Sequence, residues 1–408
     1  MTAPTIAPLV SPTTNKVASA KTRIASIDLL RGLVMLIMAI DHLRDMLHLG
    51  HPDPTDLQTT TPILFFTRWI THFCAPTFVL LSGISAFLAG KRRSKDQLSG
   101  FLIKRGFWLI FVELVIINFA ASADPFYHVI VLQVIWAIGG SMILLGLLVW
   151  ANASPAVIGG IGLTVCLGHN IIDLLHNKTI DTNLVWRLFL SARGFTTIDA
   201  IGPDHFLLIA YALLPWTGVM LVGYSLGTLY TKEAVKRKQT LTAIALLLLA
   251  IFAIFRTFNI YGDPAPWSIQ RNAMLSVISF LNVTKYPCSL MYLCLTLGIA
   301  LLILANTEKA GNRFARILIV YGNVPFFYYV CHWFLAQSIT IILFFSMGHH
   351  MSETNNYKLG FTFSPNNFGL SLAGVYAVWL LLITLLYFPC RWFGQYKKTH
   401  GQWWLSYL

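Results

Sequence analysis

SIDLLRGLVMLIMAIDHLRDML, residues 26–47, is the stretch on which the fold turns. A helix of that length reaches about 33 Å at 1.5 Å per residue, enough to cross about 30 Å of hydrocarbon. Yet the segment is not uniformly apolar. Projected at 100° per residue, Arg31 and His42 lie about 20° apart around the helix and about 16 Å apart along it. Asp28 sits one turn before Arg31 and Asp45 one turn beyond His42, with Met35 and Met38 between. An ionisable side chain inside an apolar helix costs several kcal/mol unless it faces a partner or an aqueous cavity. Two readings of the stripe stay open: a polar seam that fixes helix packing, or a functional face ending in a histidine.

The rest of the chain repeats the apolar half of this pattern. Of 408 residues, 56% are hydrophobic and only 11% charged, where a soluble domain carries nearer to a quarter. Apolar blocks of about 20 residues recur, and in lipid such blocks close their own backbone hydrogen bonds as helices. A β-barrel would show short alternating segments instead. The blocks predict helices near 27–47, 62–90, 101–121, 128–150, 155–175, 205–229, 240–258, 284–305, 316–346 and 369–390. The expected fold is an all-α membrane protein, a polytopic bundle of about ten transmembrane helices.

The net charge of +13 does not point to nucleic acid, because its cations are not gathered on one soluble face. The loops 91–100, 230–239 and 306–316, the N-terminal tail, residues 391–408, Arg31, Lys104 and Arg105 hold 20 of the 29 Lys and Arg. That alternation predicts both termini on the cytoplasmic side. Residues 1–23 read as a flexible tail, 24–395 as one transmembrane domain and 396–408 as a second tail. The opposite loops, after the first helix and at 176–204, 259–283 and 347–368, are long and rich in Pro, Asn, Asp, His and aromatic residues, a length that usually marks disorder or function. The six cysteines lack metal-ligand or disulfide spacing and read as packing residues. No glycine loop that would cradle a phosphate is present, which argues against nucleotide hydrolysis.

Further ionisable groups interrupt the later blocks. Arg68 and His72 stand at i,i+4, followed by the small residues Ser82, Gly83 and Ser85, which permit close helix approach. Glu113 reads as an ion-pair partner of a neighbouring helix. Lys285-Tyr286-Pro287 is expected to open the eighth helix. His332 follows a Gly-Asn-x-Pro break, and a broken helix at membrane depth normally borders a cavity.

With these residues stands a set of ordered segments: SIDLLRGLVMLIMAIDHLRD, RWITHFCAPTFVLLSGISAFL, KRGFWLIFVEL, LLPWTGVMLVGYSLG, KYPCSLMYLCLTLG, YGNVPFFYYVCHWFL and the terminal WWLSYL. Together they resemble the integral-membrane acetyltransferase family of the lysosomal heparan-α-glucosaminide N-acetyltransferase, most strongly its bacterial branch. The resemblance implies transfer of an acetyl group from cytoplasmic acetyl-CoA to an acceptor, often a sugar or glycan, at the far face of the membrane. The Arg31-x10-His42 spacing is also similar to the first-helix motif of a second membrane family, which O-acetylates bacterial surface polysaccharides. That likeness assigns Arg31 and His42 to the active site. The lysosomal enzyme has asparagine at the His42 position and its essential histidine in the following loop, where this chain offers His48 and His51 in a different local sequence.

Acetyl transfer needs a base for the acceptor and stabilisation of the developing oxyanion. His42, with Asp41 or Asp45 to orient it, and His332 are the candidate catalytic residues. Base catalysis by His42 and an acetyl-histidine intermediate both remain open. Arg31, Lys104 and Arg105 are the candidate contacts for coenzyme A phosphates. His48, His51, His72, Arg68 and Lys285 are the candidate acceptor contacts, and no metal is expected. The other partner expected is membrane lipid; the oligomeric state, a homodimer included, stays open. A transporter or flippase for a sugar or lipid-linked intermediate is the competing class. It would show paired broken helices in matching halves, and none is visible.

Overall fold

A computed structural model describes residues 24–174, 183–190, 196–202, 205–354 and 360–406. The proposed tail 1–23 lies outside them, as do parts of loops 176–204 and 347–368 and of the terminal WWLSYL. Helix α1 (Ala25–Leu47) is followed by α2 (Pro62–Thr71), α3 (Cys74–Gly90) and α4 (Lys95–Phe111), which runs through a π-helical segment (Val112–Ile117) into the short α5 (Asn118–Ser122). Strand β1 (Val129–Leu132) leads to α6 (Val134–Trp150), α7 (Pro155–Gly168) and α8 (Leu184–Phe189). Strands β2 (Thr196–Gly202) and β3 (His205–Ile209) precede α9 (Leu213–Leu226), α10 (Ala234–Phe258) and α11 (Ala273–Leu281). The chain closes with α12 (Leu290–Asn306), α13 (Arg313–Gly322), α14 (Pro325–Ser346) and α15 (Leu372–Thr399). Local chemistry sets many of these starts. Thr61, Ser94, Ser154, Ser289, Asn312 and Ser371 each accept a backbone N–H of the turn that follows. Pro62, Pro155 and Pro325 occupy first-turn positions, where a missing N–H costs nothing.

The chain is a mostly helical integral membrane protein. Among the described residues, Pro62–Gly90, Ala234–Phe258, Pro325–Ser346 and Leu372–Thr399 are long and apolar enough to cross a bilayer. Val134–Trp150, Pro155–Ile171 and Leu290–Asn306 are apolar but shorter. Helix α1 has the length, at 23 residues, but carries Asp28, Arg31, Asp41, Arg44 and Asp45.

Several expected boundaries move. The block 62–90 breaks at His72-Phe73, and 316–346 is two helices that meet at Asn323-Val324. Helix α12 begins at Leu290, so Lys285-Tyr286-Pro287 precedes it and does not open it. Loop 259–283 holds the additional helix α11. The all-α expectation also needs correcting, because blocks 128–150 and 205–229 both start as strands. Their order is β1-β3-β2, with β1 parallel and β2 antiparallel to β3, and Val129 opposite Phe206. A short apolar run such as Val-Ile-Val-Leu reads equally well as strand or helix start. Here Asn118 decides its edge: its side chain accepts from the Val131 N–H (2.7 Å) and donates to the Val131 carbonyl (3.2 Å), as a neighbouring strand would.

Packing around α1 positions both of its ends. At the first, a Cβ on Gly322 would stand 1.8 Å from the Asp28 carbonyl oxygen, and one on Gly32 would stand 1.9 Å from that of Leu318. Only glycines allow α1 and α13 to approach that closely. At the far end, Leu49 donates to the Leu370 carbonyl, Leu370 to that of Leu47, and the Ser364 hydroxyl to that of Met46. The segment before α15 is thus pinned over the end of α1. Two contacts tie helix starts to neighbouring links: Lys95 at the start of α4 reaches Asn152, and Arg237 in the first turn of α10 pairs with Glu308.

Candidate active site

A cavity of about 770 Å³ lies where α1 ends, within the size range of small-molecule sites. Asp41, His42, Asp45, His48 and His51 line it from α1 and the loop beyond, Arg68 from α2, His72 from the break just after it, and Lys285 from the segment before α12. Residues far apart in sequence therefore form one wall. Val129, Val131, Leu208 and Ala210 supply an apolar wall from the small sheet, where alternate residues of each strand share a face.

Asp41 is the hub of the polar wall. Its carboxylate meets Arg68 Nη1, Arg44 Nη2 at 3.0 Å and Lys285 Nζ at 3.7 Å. Arg44 also pairs with Asp45. All but Asp45 are nearly buried, and three cations around one carboxylate leave positive charge to spare. The Arg68 guanidinium and the Lys285 ammonium also stand 5.9 Å and 5.0 Å from the centre of the Tyr286 ring.

His42 points elsewhere. Its hydrogen-bond partner is neither Asp41 nor Asp45, as the sequence suggested, but His332: Nδ1 of His42 lies 2.8 Å from Nε2 of His332. Nδ1 of His332 in turn lies 2.5 Å from the Tyr329 carbonyl. A carbonyl only accepts, so in the neutral pair Nδ1 of His332 carries hydrogen and its Nε2 does not. His42 then donates from Nδ1, and its Nε2 keeps a lone pair. The Trp333 ring, stacked on His42 at 4.0 Å between centroids, and Tyr328, stacked on His332 at 5.5 Å, hold the two imidazoles in place. His332 is fully buried behind His42. The helix break before it does not border the cavity. The break lies at the other end of α1, where the Gly322 carbonyl accepts from Arg31 at 3.4 Å.

The remaining candidates divide. His72 is buried, and its carbonyl accepts from the Tyr292 hydroxyl at 2.7 Å. Nε2 of His51 meets the Ser364 carbonyl at 3.1 Å. Burial first, then Arg44 and His51, push the His48 imidazole below its ordinary pKa, which favours its neutral form. Arg31 is not part of the cavity: it bonds Asp28 at 3.0 Å and the Ser85 hydroxyl at 2.9 Å, so Ser85 does more than allow close packing. Lys104 is exposed on α4, and Arg105 lies half-buried over Phe101. Neither lines the cavity. Glu113 is fully buried and has no ion-pair partner among the described residues; its carboxyl faces the first amides of α6 without a well-formed hydrogen bond. Sequence reasoning passed over Arg44 and Trp333. The signal for Arg44 was its i,i+3 spacing from Asp41, whereas Trp333 carried none beyond its place beside His332.

The family model for the heparan-alpha-glucosaminide N-acetyltransferase catalytic region matches residues 23–261, which include α1 to α10 and most of the cavity. No curated protein matches the chain.

Proposed function

Since the chain belongs to the heparan-α-glucosaminide N-acetyltransferase catalytic family, we propose that it moves an acetyl group from cytoplasmic acetyl-CoA to a sugar or glycan acceptor bound at the far face of the membrane. The observation that carries this reading is the His42–His332 pair at the wall of a mixed polar and apolar cavity. In this reading the acceptor O–H or N–H gives its proton to Nε2 of His42, and the imidazolium shares that charge with His332 across their hydrogen bond. The new bond to the acetyl carbon forms as the C–S bond breaks, and the electron pair leaves on sulfur, which takes up the proton. Lys285 and Arg68 at the cavity wall supply positive charge for the oxyanion that develops. His48, His51, His72, Arg68 and Lys285 are the proposed acceptor contacts.

Asp41 has a different part from the one its place beside His42 suggested: it holds Arg44, Arg68 and Lys285 together. The donor's phosphates are assigned to the cation-rich end, with Arg31, Lys104 and Arg105, and the thioester arm then spans the roughly 16 Å of α1 to His42. One membrane domain over 24–395, about ten spans and cytoplasmic termini complete the proposal, for a member of the bacterial branch seated in the cytoplasmic membrane.

The test is acetyl-CoA binding by titration calorimetry and coenzyme A release with a panel of amino sugars and glycans, on wild type and His42→Ala. Binding by both proteins with release lost only in the variant supports the reading. A folded wild type that binds no acetyl-CoA overturns it and brings a transporter of sugar or lipid-linked intermediates to the front.

A further inference from the structure

Thr284, Lys285 and Tyr286 reach the cavity on a short arch, and two charged residues outside the cavity hold both of its feet. Arg256, at the end of α10, is only 2% exposed. Its guanidinium donates to four backbone carbonyls: Ala265 at 2.7 Å, Ser279 and Phe280 at 3.0 Å, and Asn282 at 2.9 Å. Ser279 and Phe280 end α11, where carbonyls lack intrahelical donors and carry partial negative charge. Arg256 thus caps α11 and sets the direction in which the chain leaves it.

Asp263 holds the other side. Its carboxylate accepts from the Thr284 N–H and hydroxyl, both at 2.9 Å, from the Ser289 hydroxyl at 2.8 Å and from the Ala265 N–H at 3.0 Å. It lies 3.7 Å from Arg256. Ser289 N–H closes the arch on the Thr284 carbonyl at 3.0 Å, and the Asn282 amide reaches the Thr55 carbonyl in the loop after α1. A lysine on a free loop would lose much conformational entropy on meeting Asp41. Here the backbone that carries Lys285 is bonded on both sides before the side chain is placed.

We propose that Arg256 and Asp263 are positioning residues for acceptor binding, acting through Lys285; this rests on the acetyl-transfer reading above. Neither touches the cavity, so neither contacts substrate. The clasp fixes where the Lys285 ammonium stands relative to Asp41 and His42, and a misplacement of about 1 Å at such a site costs up to about 100-fold in rate.

Two measurements on the full chain in detergent test this. Hydrogen–deuterium exchange of Arg256→Lys and Asp263→Asn should speed up across 263–289 and stay unchanged across 25–47. Coenzyme A release, with glucosamine and glucosamine-terminated oligosaccharides as probe acceptors, should show the acceptor KM raised about tenfold and the acetyl-CoA KM within about twofold, a split that loss of folded protein would not produce. Adding Arg256→Lys to Lys285→Met should cost nothing further, because residues that act through one another are not additive. Unchanged exchange across 263–289, or a full additional loss in the double variant, overturns the proposal. A wild type that releases no coenzyme A with these probes removes the acceptor role together with the acetyl-transfer reading, and the exchange result, which needs no turnover, separates that failure from failure of the clasp.

Discussion

The two ends of α1 carry the same kinds of residue and use them differently. At the first end Arg31 is matched by Asp28, the Ser85 hydroxyl and the Gly322 carbonyl, all inside a seam where paired glycines bring α1 and α13 together. At the far end Asp41 faces three cations, and His42 turns away from both nearby carboxylates to bond His332 at the edge of a cavity. Charge in a membrane helix is therefore not by itself a mark of chemistry. At the first end the charges are balanced by local acceptors within a packing seam, and the proposed donor phosphates would be met there by Arg31 together with Lys104 and Arg105. At the far end charge is unevenly matched, and a ring nitrogen is left over beside open space.

Breaking the far end should have the largest consequences. His42→Ala is expected to lower coenzyme A release about 10³-fold, a typical loss for a general base, while acetyl-CoA affinity measured by calorimetry holds. A variant within tenfold of wild type would put the chemistry elsewhere and erase the contrast between the ends. Asp41→Asn leaves Arg44, Arg68 and Lys285 crowded together without their carboxylate. Removing one partner of a buried pair costs about 3 kcal/mol or more, to be read from urea unfolding in detergent.

His332→Ala tests whether the second imidazole matters to the first. A fall of about 100-fold in kcat with little change in KM is expected, near the lower end for a proton-transfer partner, and an unchanged kcat would reduce His332 to packing. At the other end, Asp28→Asn should cost only about 1 kcal/mol, since Arg31 keeps Ser85 and the Gly322 carbonyl. Equal losses for Asp28→Asn and Asp41→Asn in the same unfolding assay would dissolve the distinction between the two ends of α1.

The smallest effect lies away from both ends. The His349 side chain, then the His350 N–H, hold the Glu353 carboxyl down at about 2, against its usual 4.5. A depressed carboxyl adds stability above its unfolded value and loses it as pH falls through the folded one. The 349–353 turn should therefore loosen between pH 4.5 and 2, as local hydrogen exchange would report, with the contacts of α1 unaffected.

Much of this was legible in the sequence because helices in lipid are read locally. Block length and cation-rich links act within a few residues of where they stand, and block length located most helices without reference to the rest of the chain; the capping Ser, Thr and Asn residues that set many of their starts act just as locally. The family segments and the Arg31–His42 stripe were equally visible. What periodicity did not separate were elements of a few residues: Val129–Leu132 became a strand because Asn118 and β3 supply its backbone partners, and His72-Phe73 became a break within one apolar block.

The candidate site was half legible, for a reason of the same kind. Spacing along α1 brought Asp41, His42 and Asp45 into view, and composition pointed to Arg68, His72, Lys285 and His332. Nothing along the chain told which of them meet. Amino-acid order determined a helical membrane protein with a charged first helix. Tertiary packing alone decided that His42 would pair with His332, 290 positions away, and that Lys285 would reach Asp41 from an arch held by Arg256 and Asp263. A hydrogen bond is set by distance and direction in space, and a linear sequence carries neither for residues so far apart.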